Sequence, residues 1–212
     1  MDLSFAVHKL ATFSEKLGKV HFEGFVHLLI YVTDNKNFVL KYYADMNDAP
    51  VTDLLINNSI KTENHLMDFC DYSWQDCPGT GRSTGAYIIF FQGGPIDHVT
   101  YVPVTVSQSS AESKYNTACT SGMALAHFNM LIHELLNKNL DILPEESPLI
   151  VLESKYYMCM ANNRKDTKHT RNIARRVHFV RNGKKCNIHN IDWCEGFLQL
   201  TDIFIKKLAS MI

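Results

Sequence analysis

Leu66-Met67-Asp68-Phe69-Cys70-Asp71, Ala86-Tyr87-Ile88-Ile89-Phe90-Phe91 and Ile96-Asp97-His98-Val99-Thr100-Tyr101-Val102-Pro103-Val104 are three strand-like runs with only turns between them. The first link contains Cys77-Pro78-Gly79-Thr80-Gly81 and the second Gly93-Gly94-Pro95, both turn-forming. Consecutive strands with short turns predict an antiparallel meander. Downstream, Tyr115, Ala118, Gly122, Leu125, Phe128, Ile132 and Leu135 recur at helical spacing and predict a long helix from Ser109 to Asn137 with that stripe buried. Leu149 to Leu152 is wholly apolar, as the centre of a sheet requires. Helical stretches near 154–162 and 168–182, a strand at 185–193 and a final helix at 197–209 follow. The order β-β-β-α-β-α-α-β-α predicts an α/β fold, a mixed five-stranded sheet flanked by helices.

Upstream the pattern is different. Phe5, Leu10, Phe13 and Leu17, then Phe22, Phe25, Val26, Leu29 and Ile30, predict two amphipathic helices separated at Gly18. Phe38 to Ala44 reads as a strand and Val51 to Ile56 as a short helix within a connector. The boundary is set near residue 60, with a small helical segment at 1–60 and the sheet domain at 61–212.

The 212 residues are 46% apolar, and 21 basic against 22 acidic side chains leave a net charge of −1. That balance excludes a uniformly basic coat and intrinsic disorder, though not a local basic patch. Apolar runs such as Leu28 to Val32 fall far short of the roughly 20 residues that span a bilayer, and Met1 to Leu10 lacks the order of a signal peptide. No membrane association is expected. The six cysteines form no C-x-x-C pair and read as reduced thiols of a cytoplasmic or nuclear protein. Cys186, His189 and Cys194 have a zinc-like spacing but supply only three ligands, so no zinc site is expected there.

Four acids stand at element ends. Asp71 closes the first strand, Glu153 follows the fourth, Glu112 lies in the first turn of the long helix and Asp202 early in the last. They are either ordinary solvated carboxylates or a cluster able to hold two hard cations roughly 3.5–4 Å apart, the arrangement that splits phosphodiesters. From Arg164 to Lys185 nine basic residues face one acid, with Lys168, Arg171 and Arg175 on one helix face. Such a stripe is either a solvated face or a phosphate-backbone contact. His169 opens it and either meets phosphate or faces solvent. The glycine-rich loop before Thr84 lacks the Gly-Lys-Ser/Thr ending of a nucleotide P-loop, and no serine lies in a G-x-S-x-G setting.

Phe69-Cys70-Asp71-Tyr72-Ser73-Trp74-Gln75-Asp76, Gly81-Arg82-Ser83-Thr84-Gly85-Ala86-Tyr87, Ser109-Ser110-Ala111-Glu112-Ser113-Lys114-Tyr115, Thr167-Lys168-His169-Thr170 and Leu198-Gln199-Leu200-Thr201-Asp202-Ile203 occur in that order. Together they resemble the ribonuclease H domain of copia-type retrotransposon polyproteins. Gly18-Lys19-Val20-His21 through Tyr42-Tyr43-Ala44-Asp45 is similar to the reverse-transcriptase tail that precedes it, a thumb- or connection-like segment. The resemblance implies a ribonuclease H-like fold and cleavage of the RNA strand of an RNA–DNA hybrid. It implies two Mg²⁺ ions, with Mn²⁺ as substitute, held by catalytic Asp71, Glu112, Glu153 and Asp202. Nucleic-acid contacts are expected from Arg82, Ser83, Thr84, Lys168, His169, Arg171 and Arg175. Polymerase fingers and palm have no counterpart, so no polymerisation is expected. Three departures point to impaired activity. Glu153 replaces an aspartate and pushes its carboxylate out by roughly 1.5 Å, one carbon–carbon bond, against the near-ideal octahedral geometry that Mg²⁺ demands. Lys114 stands where an acid or neutral residue is usual, and Phe204-Ile205 where a small residue and threonine are. The alternative is a catalytically inactive nucleic-acid-binding remnant.

Overall fold

The computed structural model describes residues 2–43, 48–57, 66–77, 80–137, 147–162 and 173–206. Three strands, β1 (Leu66–Ser73), β2 (Thr84–Phe91) and β3 (Gly94–Tyr101), form the expected antiparallel meander. Gln92 and Gly93 both take positive φ, 52° and 72°, as a two-residue hairpin turn requires, and a Cβ on Gly93 would come within 2.3 Å of the Ala49 side chain. Helix α4 (Ser110–Asn137) then crosses the sheet, so that β4 (Leu149–Leu152) pairs parallel with β1, and β5 (Asn190–Trp193) pairs parallel with β4. The sheet order is β3-β2-β1-β4-β5, mixed in direction and flanked by helices, as the fold reading requires.

Strand alternation divides the core in two. Leu66, Cys70, Tyr87, Ile89, Ile150 and Leu152 pack on one face against Tyr115, Ala118 and Leu125 of α4, with α5 (Lys155–Asn162) and α6 (Ala174–Lys185) beside them. Met67, Phe69, Ala86, Ile88, Phe90, Leu149 and Val151 pack on the other against Leu55 of α3 (Pro50–Asn57), Cys194, Leu198, and Phe204 and Ile205 of α7 (Asp202–Ile205). Helix α1 (Ser4–Ala11) rests on β3 and α7. Among the described residues no helix is long and apolar enough to cross a membrane, and none of the six cysteines is in a disulfide.

Five local expectations are corrected. Residues 38–43 form no strand: Phe38, Val39, Leu40 and Tyr42 are exposed, with no neighbouring strand to take their backbone hydrogen bonds. Helix α2 (Lys19–Asp34) buries no residue, and its apolar positions Phe22, Phe25, Val26, Leu29 and Ile30 are exposed; its partner is the short α1, where Leu10 lies against Gly24. The strand expected at 185–193 starts only at Asn190, because α6 runs on to Lys185. There Asn187, at φ 54°, closes the helix with the Asn187 N–H donating to Lys184 O and the Ile188 N–H to Gly183 O. The last helix is broken into a 3₁₀ turn at Gly196–Leu198 and α7, because Gln199 is extended and its side chain donates to the Cys70 carbonyl at 3.2 Å. Leu135, at the far end of the α4 stripe, is exposed.

Candidate active site

Parallel strands β1 and β4 end side by side, so Asp71 and Glu153 emerge at the same edge of the sheet. Asp71 lies on the face shared with α7, and Asp202 opens that helix. Burial lifts Asp71 to about 6; Lys114 opposes the rise, while Glu153 and Asp202 add to it. Cys194 lies among the same charges, its thiol pushed up to about 12 by burial and by Glu153, Asp71, Asp202 and Asp192. Glu153 leans over the 3₁₀ turn, where a Cβ on Gly196 would come within 2.7 Å of its Oε1. Three of the four predicted acids therefore share one electrostatic cluster.

Glu112 is turned to another task. Ser109 Oγ accepts the Glu112 N–H at 3.1 Å, and the Glu112 carboxylate accepts the Gln108 N–H at 2.8 Å. This is a capping-box arrangement set back by one residue, and it ties the carboxylate to the start of α4.

Cations already serve the cluster. Lys114 Nζ lies 3.8 Å from Asp71 Oδ1, and Lys206 Nζ donates to Asp202 Oδ2 at 2.6 Å. Partial burial lowers Lys206, but its hydrogen bond to Asp202 and the charges of Asp202, Asp71 and Glu153 outweigh this and raise it overall. Asp202 Oδ1 is buried and has no hydrogen-bond partner among the described residues. No three histidine, cysteine or acidic side chains among the described residues stand close enough to share an ion. As arranged, these residues fit the two Mg²⁺ ions that the resemblance implies only poorly: one acid is spent on a helix cap and two are answered by ammonium groups.

The predicted nucleic-acid contacts divide. Ser83 and Thr84 are buried and committed inside the protein. Ser83 Oγ lies 2.9 Å from Tyr72 Oη and accepts the Gln75 N–H at 3.1 Å, while Thr84 Oγ1 donates to Asp76 at 2.8 Å and faces Lys9. Lys9 also pairs with Asp76, fastening α1 to this loop. Both hydroxyls are thus structural, because the strand start that carries them runs under α1 and not along the surface. Arg82 is partly exposed and Arg175 exposed. Lys168, His169 and Arg171 lie outside the described residues. Phe204 and Ile205 are core residues and make no part of the cleft. Cys186 is exposed while His189 is buried against Gly183, and burial lowers its pKa, so the zinc-like spacing brings no ligands together.

Two further residues bear on the site. Lys206 is signalled by its i+4 spacing from Asp202. Trp193, at the end of β5, donates its indole N–H to the Glu153 carbonyl at 2.6 Å and so holds the backbone of that acid.

No protein-family model matches this chain, and no curated protein does. Among solved structures it is similar to ribonuclease H1 from Halobacterium salinarum NRC-1, at 10% identity over 63% of this chain and 88% of that one, with a TM-score of 0.46. The N-terminal RNase H domain of a Mycobacterium tuberculosis protein gives 8% identity over 66% and 89%, with a TM-score of 0.46. LC11-RNase H1, solved in complex with an RNA/DNA hybrid, gives 10% over 64% and 88%, with a TM-score of 0.41.

Proposed function

We propose that this chain carries the ribonuclease H domain of a copia-type retroelement polyprotein, that it engages RNA–DNA hybrids inside the cell, and that its cleavage of the RNA strand is weakened. What supports the reading is the parallel pairing of β1 with β4, which brings Asp71 and Glu153 to the same end of the sheet, with Asp202 acting on Asp71 from the start of α7. The motifs that supply those acids follow the order of the family they resemble. Exposed Arg175 and half-exposed Arg82 are suited to phosphate contacts that position the duplex without reading its sequence. Hydrolysis of this kind is Mg²⁺-dependent, and the capped Glu112, the longer Glu153 and the two lysines all work against it.

The test is cleavage of an end-labelled hybrid by the whole chain over a titration of Mg²⁺ and of Mn²⁺. Slow cutting is expected, with Glu153→Asp raising the rate by about tenfold or more, a gain of about 1.4 kcal/mol in transition-state stabilisation. Equal rates for the two proteins overturn the role given to Glu153. A second reading, an inactive hybrid-binding remnant, is favoured by the Lys114–Asp71 pair; binding without cutting by either protein selects it.

A further inference from the structure

Beside Glu153, on the side of Trp193, a cavity of about 500 Å³ is lined by Lys155, Met158, Cys159, Asn162, Asp192 and Trp193. This volume lies within the ordinary range for small-molecule sites. We infer that it is a binding site for one unpaired nucleobase, with guanine the best fit, lying next to the candidate active site.

Each wall suits a different part of a nucleotide. Trp193 supplies an aromatic surface whose indole N–H is held by the Glu153 carbonyl, while its backbone N–H donates to Asp192 Oδ1 at 2.8 Å. A ring locked in this way loses little freedom when a base stacks on it, and base–aromatic stacking is the main attraction of single-stranded sites. The Lys155 ammonium already lies 4.1 Å from the centre of the Trp193 ring. It can swing to a phosphate without leaving the pocket mouth, because its side chain is exposed. Met158 adds a soft apolar contact at the base edge.

The polar wall sets the preference. A carboxylate only accepts hydrogen bonds, and the one the Trp193 N–H makes to Asp192 fixes that group at the wall. Guanine offers two adjacent donors, N1–H and N2–H, to such a group. Adenine offers one amino group beside a ring nitrogen whose lone pair a carboxylate repels. Lys184 donates to Asn162 Oδ1, so what the Asn162 amide has left to offer an entering acceptor, such as guanine O6, is its NH₂. The pocket is thus complementary to a guanine edge and mismatched to the other bases.

The hybrid reading supplies the source of the nucleotide, an unpaired base of the bound strand; binding of the base itself does not depend on it. Because the chain has two tryptophans, Trp74→Phe leaves Trp193 as its sole indole. Titrating that protein with GMP, AMP, CMP and UMP should quench the emission by GMP at concentrations about tenfold lower than by AMP, the ratio carried by one charge-assisted hydrogen bond. Asp192→Asn should erase the difference between GMP and AMP, and Lys155→Met should weaken all four nucleotides alike. Both positions lie at the surface edge of β5 and α5, and thermal unfolding by circular dichroism checks that both variants fold. Absence of quenching, equal affinity for the four nucleotides, or an unchanged guanine preference in Asp192→Asn overturns the inference. Hybrid binding without GMP quenching removes this site and leaves the proposed function standing; GMP quenching without hybrid binding does the reverse.

Discussion

Asp68 and Asp71 stand three residues apart on β1, and strand alternation sends them to opposite faces of the sheet. Asp71 emerges at the strand end, where burial lifts it to about 6; Lys114 opposes the rise, while Glu153 and Asp202 add to it. Asp68 lies mid-strand under α4, fully buried, and neither of its oxygens finds a hydrogen-bond partner of normal length among the described residues. Burial lifts it to about 7, with Ser121 and Cys70 offsetting the rise in part and Asp97 adding to it. One strand thus holds an acid set among charges and an acid buried away from them, both lifted above the ordinary carboxylate range. The difference teaches that desolvation is the main lift on both carboxyls, and that among the described residues only Asp71 has an ammonium group beside it to oppose the rise.

The comparison can be broken most directly by pH. Asp68 binds its proton more tightly in the folded chain than in the unfolded one, so its contribution to stability is fully present below the unfolded value near 3.8 and is lost as pH rises through about 7. Urea unfolding should therefore show Asp68→Asn gaining about 3 kcal/mol over the parent between about pH 4.5 and pH 7.5. The same sign holds for Asp71 over a narrower window, ending near 6, and Asp71→Asn should gain about 2 kcal/mol over the same interval. Equal slopes for the two variants would erase the distinction between the faces.

Removing the cations sharpens it further. Lys114→Met strips the counter-charge from a buried carboxylate and should cost about 1 kcal/mol near neutral pH, reduced because the lysine itself is partly solvated. The loss should vanish once Asp71 is protonated, which unfolding near pH 4 would show. Lys206→Met breaks a pair whose lysine is more than half exposed, and thermal unfolding should move by only a few tenths of a kcal/mol.

Much of the sheet domain was legible because its signals are local. The meander announces itself through β-branched and aromatic runs closed by glycine turns, and the all-apolar Leu149–Leu152 is what a strand buried on both faces must be. The end of α6 misled because Asn187 closes it with a left-handed residue, which its neighbours in sequence do not announce. The exposed apolar residues of α2 carry a core-like pattern without a core, since periodicity states which face is apolar and not what lies against it. At the site, Glu112 read as a solvated acid or an ion ligand, and the Ser109-x-x-Glu112 spacing, a capping signal, competes with that role. Ser83 and Thr84 read as surface donors because nothing in their neighbourhood foretells Lys9, some 75 positions earlier, packing over them.

Residue order alone settled the three-stranded meander, the crossover helix and the central apolar strand, because hydrophobic period and turn chemistry act between near neighbours. Tertiary packing alone decided which acids share a field, that Lys114 answers Asp71, and that Trp193 braces Glu153. Those outcomes depend on distances between segments far apart in the chain, and electrostatic coupling follows separation in space.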